Sequence, residues 1–72
     1  MAIVFTYHAR ERMARRGVSE SMIEEAICAP DATGEGYTGK LLAFKRFPRG
    51  LLKVMYFVDG NDHIIVSTIW ED

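Results

Sequence analysis

The segment Lys40-Leu41-Leu42-Ala43-Phe44-Lys45-Arg46-Phe47-Pro48-Arg49-Gly50-Leu51-Leu52-Lys53-Val54-Met55-Tyr56-Phe57-Val58 decides the fold. Its apolar and polar residues repeat with a period of two, and aromatic and branched side chains are frequent. Both features predict strands, over Lys40–Phe47 and Leu51–Val58, with Pro48-Arg49-Gly50 closing a hairpin. Asp59-Gly60-Asn61-Asp62 predicts a second turn and Ile64–Trp70 a third strand. A three-residue first turn sets Phe47 opposite Leu51, Lys45 opposite Lys53 and Ala43 opposite Met55. If Val58 faces His63, Lys53 faces Thr68 and Leu51 faces Trp70. On that register Leu42, Phe44, Leu52, Val54, Tyr56, Val58, Ile65 and Ile69 form one apolar face for helices to cover. The other face then carries Lys45, Lys53 and Thr68 side by side, with Met55, Val66, Phe57, Phe47 and Trp70 around them. Two opposed lysines repel, so a bound anion or an acid is expected there. A slip of one residue would send each of these side chains to the opposite face.

Before this segment the period changes. Ala2–Phe5 is a short apolar run, expected as an edge strand. Thr6-Tyr7-His8-Ala9-Arg10-Glu11-Arg12-Met13-Ala14-Arg15-Arg16-Gly17-Val18-Ser19 predicts a helix capped by Thr6 and stopped by a left-handed Gly17. A second helix is expected from Ser19 or Ser21. Ser21 with Glu24 fits a capping box, Met22, Ile23, Ala26 and Ile27 form the apolar stripe, and Pro30 ends it. Asp31–Gly39 is glycine-rich and is expected to be a loop with a short strand around Tyr37. The order is (β)ααβββ. It predicts one α+β domain over residues 1–72, with two N-terminal helices on one face of an antiparallel sheet of three to four strands.

Composition narrows the class. With 49% apolar and 26% charged residues, the chain is globular rather than disordered. A core this small favours a homodimer or a partner protein. One cysteine excludes an internal disulfide, and no apolar stretch is long enough for a signal peptide or membrane span, so a cytoplasmic protein is expected. A net charge of −1 argues against a general nucleic-acid binder. The charges are nevertheless segregated: Arg10, Arg12, Arg15 and Arg16 cluster in the first helix, and Lys40, Lys45, Arg46, Arg49 and Lys53 in the strands. If the two zones meet, they form a local anion site within a neutral protein. At helical spacing His8, Arg12 and Arg15 lie within about 60° of one another, with Arg16 nearby, beside the core-facing stripe of Ala9 and Met13.

The pattern His8-Ala9-x-x-Arg12-Met13-x-x-Arg16-Gly17-Val18-Ser19 resembles the opening helix of a small uncharacterised domain family in which an antiparallel sheet follows. Leu52–Tyr56 and Ile65–Trp70 resemble that family's closing strands. The family is similar to RelE- and BrnT-type toxins and, more broadly, to the metal-independent ribonucleases grouped with barnase, EndoU and the colicin tRNA nucleases. The resemblance implies a RelE-like fold and an RNA-cutting set made of a helix histidine, basic sheet residues and a hydroxyl on the last strand. Here these are His8, Arg12, Lys53 and Thr68, acting without a metal or other cofactor. It also implies RNA as substrate and an antitoxin as partner.

Metal-free RNA cleavage needs a base for the 2′-hydroxyl, an acid for the leaving 5′-oxygen and cations for the charged phosphorane. Histidine titrates near neutrality and can serve as either. Arg12 offers a bidentate fork, and Lys53 or Lys45 adds charge. Arg16 and Lys45 are expected to hold the substrate, and Trp70 or Phe47 to stack on a splayed base. The bland alternatives are a solvated helix face, with Arg12 and Arg16 paired to Glu11, Glu20 or Glu24, and a core or interface role for Trp70. Cys28 is expected to be a small buried hydrophobe. His8, His63 and Cys28 have no metal-ligand spacing. Two functions therefore stand: a toxin-like metal-independent endoribonuclease, or a non-catalytic partner-binding or dimerisation domain on the same fold.

Overall fold

The computed structural model describes residues 1–72 as β1 (Ala2–Phe5), α1 (Tyr7–Arg16), α2 (Glu20–Cys28), β2 (Ala32–Glu35), β3 (Leu41–Phe47), β4 (Gly50–Asp59) and β5 (Asp62–Trp70). The fold is α+β, with the helices preceding the main meander as the sequence implies. The sheet is larger and less uniform than expected: it has five strands in the order β1-β5-β4-β3-β2. β1 joins β5 in parallel, while the other neighbours are antiparallel, so the sheet is mixed. Part of the expected loop forms β2, at Ala32–Glu35 rather than around Tyr37, and pairs with β3. No helix is long and apolar enough to cross a membrane.

Local chemistry sets the helix ends. Thr6 is extended (φ −68°, ψ 161°), and its Oγ1 accepts from the Ala9 N–H at 3.1 Å. Gly17 takes the left-handed conformation (φ 68°, ψ 39°), and the Val18 N–H donates to the Met13 carbonyl at 2.9 Å. The second cap is Ser19, not Ser21: its Oγ accepts from the Met22 N–H at 3.1 Å. Pro30 disfavours helical geometry in the residue before it, and α2 ends at Cys28 with Ala29 as its cap.

Both helices pack on one sheet face. Ala9, Met13, Val18, Ile23 and Ala26 meet Leu52, Val54 and Ile65 in a single core, and Ile23, Leu52, Val54 and Ile65 are fully buried. The covered face differs from the expected one. The first turn holds two residues, Pro48 and Arg49, because Phe47 pairs with Gly50. That one-residue change puts Ala43 opposite Val54, Lys45 opposite Leu52 and Phe44 opposite Lys53. In the second hairpin Val58 does face His63, but a bulge follows: Tyr56 pairs with Ile65 and Met55 with Ser67, leaving Val66 unmatched. The expected Lys53–Thr68 and Leu51–Trp70 pairs therefore become Lys53–Ile69 and Leu52–Trp70. By strand alternation, Leu42, Phe44 and Ile69 move to the open face, and Thr68 and Trp70 to the helix side.

The start of β4 is held by the chain's last residue. The Leu51 N–H donates to Asp72 Oδ1 at 2.7 Å, and Arg46 Nη1 reaches Asp72 Oδ2 at 3.3 Å. Gly50 has φ 156°, and a Cβ there would sit 2.6 Å from Asp72 Oδ1, so the turn and the tail fit only around glycine. The Leu51 hydrogen bond, helped by Arg46, holds the Asp72 carboxyl below its ordinary 3.8, against a smaller opposing effect of burial. A depressed carboxylate pKa stabilises the fold fully above the unfolded value, and the contribution is lost as pH falls through the lower folded value. Thermal unfolding of Asp72→Asn should therefore differ from the parent at neutral pH and converge with it as pH falls through the lowered carboxylate value. An unchanged gap across that range would show that the carboxylate charge has no part in holding the tail.

Candidate functional site

β1 pairs with β5 only from Asp62 to Ile65. Beyond Ile65 that edge of β5 has no strand neighbour, and α1 lies against it. The helix is tied to β5 at both ends. Thr6 Oγ1 donates to the Ile65 carbonyl at 2.8 Å before its first turn. At the other end, Trp70 Nε1 donates to the Arg16 carbonyl at 2.8 Å, and Arg16 Nη1 donates to the Thr68 carbonyl at 2.6 Å. These bonds fix which way the polar side of α1 faces: one helical row runs along the open part of β5.

A cleft of about 220 Å³ forms there, lined by Arg12, Arg16, Lys53, Met55, Ser67, Thr68 and Ile69. This is small beside the roughly 300–1,000 Å³ of drug-sized sites, and suits a compact polar group. The lining carries three cations and no acid. The helical arginines thus meet a strand lysine as the charge distribution suggested, but across the sheet edge rather than on one sheet face. Lys53 points to the open face, Thr68 belongs to the helix side, and the arginines bridge the two.

The cations differ in their engagements. Glu11 pairs with Arg15 at 3.5 Å, Glu20 pairs with Arg10 at 2.7 Å and Glu24 forms no ion pair, so none of the three expected acids neutralises Arg12. Arg12 is half-buried and has no ion-pair or hydrogen-bond partner within the chain. Arg16 is partly engaged by Thr68, and Lys53 Nζ lies 3.0 Å from Glu71 Oε1. A half-buried guanidinium without a partner has open donor capacity that an anion can fill.

Thr68 is 1% exposed, and its Oγ1 donates to the Lys53 carbonyl at 3.1 Å. Its hydroxyl proton is therefore committed to the backbone. Ser67, half-buried and on the cleft lining, supplies the accessible hydroxyl instead. Sequence reasoning missed it because the β5 bulge, which re-aims Ser67, leaves no local signal in the sequence.

Other expected residues lie apart from the cleft. His8 is exposed on α1, one turn before Arg12 and about 5–6 Å from it at Cβ by helix geometry, and does not line the cleft. Lys45, on the helix-side face, donates from Nζ to the Ala29 carbonyl at 2.9 Å and closes the end of α2. Its expected repulsion with Lys53 does not arise. Trp70 is structural: besides its bond to Arg16, it meets Phe47 edge-on at 6.3 Å and carries the Arg49 guanidinium 4.4 Å above its ring. Cys28 is exposed rather than buried, and no three His, Cys, Asp or Glu side chains gather as metal ligands.

Because the Thr68 hydroxyl serves the backbone, Thr68→Val should lower stability by about 1 kcal/mol in chemical denaturation, with the fold kept. An unchanged midpoint would mean the buried hydroxyl is not holding the Lys53 carbonyl.

No curated protein and no solved structure matches the chain. Residues 5–71, which carry α1, the arginines and every strand of the cleft, match the family described as Domain of unknown function (DUF4258), and the chain belongs to that family.

Proposed function

We propose that the cleft binds a phosphodiester of RNA and that the protein is a toxin-like, metal-independent endoribonuclease akin to the RelE and BrnT type. The observation that carries this reading is the convergence of Arg12, Arg16 and Lys53 on one acid-free cleft, with Arg12 unpartnered and the Ser67 hydroxyl beside them. Arg12 would take two non-bridging oxygens through its fork, and Lys53 a third contact as a point charge. Ser67 would donate to the same phosphate. As the 2′-oxygen bonds to phosphorus and the bond to the 5′-oxygen breaks, these donors stabilise charge that grows on the phosphorane.

His8 carries the imidazole on this row, a group that can both take up and release a proton. From one turn above Arg12 it would remove the 2′-proton, or deliver a proton to the departing 5′-oxygen, of a ribose lying over the cleft mouth. The products are a 2′,3′-cyclic phosphate and a free 5′-hydroxyl.

A second reading is favoured by the uncovered sheet face. Leu42, Phe44, Met55, Phe57 and Ile64, half-buried, and Ile69, exposed, lie on the side away from both helices, and an apolar face left without a covering layer suits a partner or a second copy. On this reading the domain binds without cutting.

The test is cleavage of single-stranded RNA in the presence of a chelator, with the ends assayed for cyclic phosphate. Arg12→Ala and Lys53→Ala should each lower the rate about 10²–10³-fold, and His8→Ala about 10²–10⁴-fold. Ser67→Ala should cost about tenfold where Thr68→Val costs little, since only the first hydroxyl is free for the phosphate. No cleavage by the parent protein at any pH rejects the nuclease and leaves the binding module. Cleavage that survives in both the Arg12 and Lys53 variants places the chemistry elsewhere.

A further inference from the structure

One of the three cations on the cleft already holds an anion from the chain itself. Glu71 follows β5, and its N–H donates to the Leu51 carbonyl at 2.8 Å, which extends the strand register one step further. Strand alternation puts Glu71 on the open sheet face with Ile69, diagonal to Lys53. Its Oε1 lies 3.0 Å from Lys53 Nζ, with the two side chains 37% and 29% exposed. Asp72 is tied to Leu51 and Arg46, so the backbone that carries Glu71 is pinned from both sides.

We propose that Glu71 is a built-in competitor for the cleft: its carboxylate occupies Lys53 when no ligand is present and is exchanged for a phosphate oxygen when one binds. The inference rests on the phosphate-binding reading of the cleft. Its physical basis is a difference in engagement. Arg12 waits without a partner, whereas Lys53 must leave one. An exposed or half-exposed ion pair is weak, so the exchange is easy but not free. A phosphate that reaches Lys53 can also reach two guanidinium groups, which the Glu71 carboxylate does not. The ligand therefore displaces the carboxylate by gathering contacts that Glu71 cannot make. The device sets a threshold: anions that engage only Lys53 gain nothing over the resident carboxylate, and only those that also engage the α1 arginines are held.

If Glu71 instead served to position the Lys53 ammonium, removing its charge would weaken binding, so the two roles differ in sign. The experiment is titration of the folded protein with inorganic phosphate, followed through the backbone amides of Ser67 and Thr68 in proton–nitrogen correlation spectra. Glu71→Gln should bind phosphate about two- to fivefold more tightly than the parent. Glu24→Gln, which removes the same charge from an exposed site on α2, should leave affinity unchanged. Lys53→Ala should weaken binding and abolish the gain from Glu71→Gln. Equal or weaker binding by Glu71→Gln, with the parent still binding, overturns the competitor while the cleft stands. An equal gain from Glu24→Gln overturns it as a net-charge effect. If phosphate moves neither amide in any variant, the anion cleft itself fails and the competitor with it.

Discussion

The double attachment of α1 to β5 is the constraint on which the rest of the architecture depends. Thr6 anchors the helix start to the Ile65 carbonyl, and the Trp70 indole anchors its end at the Arg16 carbonyl. An isolated helix of 10 residues would be marginal in water. Here tertiary bonds and the burial of Ala9 and Met13 stabilise it and also choose its rotation. That rotation turns Arg12 and Arg16 to the open edge of β5 instead of leaving them in solvent. β1 contributes by being short: because it stops at Phe5, the rest of the β5 edge is left for the helix to guard. Arg16 donates directly to the Thr68 carbonyl of that edge, which also blocks an incoming strand there.

The helix half of the fold was legible in the sequence, because its signals are local. Thr6 and Gly17 act within one turn of the chain, and an apolar stripe with charged flanks sets the buried side. The short first strand and the three strands of the meander were legible as elements for the same reason, whereas β2 lies in the glycine-rich stretch that reads as a loop. Their register was not. It depends on whether the Pro48–Gly50 hairpin turns over two residues or three, and on one unmatched residue at Val66. Neither changes the alternation that a sequence displays, yet each moves side chains across the sheet. The parallel docking of β1 was illegible as well, since it joins residues about sixty positions apart with no turn to specify it.

The site shows the same division. The arginine row on α1 and a basic zone in the strands could be read from spacing and charge, and the two meet through Lys53 of β4 alone. Only a three-residue turn would place Lys45 beside Lys53; with the two-residue turn it closes the end of α2 instead. Trp70 carries the chemistry of a stacking platform but the geometry of a bolt. Thr68 and Ser67 exchange roles because one residue of bulge decides which hydroxyl faces the cleft. His8 keeps the expected relation to Arg12, set by helix geometry alone, but stays exposed outside the cleft lining.

A cationic cleft across an open sheet edge, closed on one side by a helix that β5 itself holds in place, is the central feature of the molecule. A crystal structure of the protein with a bound nucleoside 3′-monophosphate tests this most directly. The phosphate should sit between Arg12, Arg16 and Lys53, within hydrogen-bond distance of the Ser67 hydroxyl. A phosphate bound elsewhere, with Arg12 still unpartnered and the β5 edge empty, would contradict it.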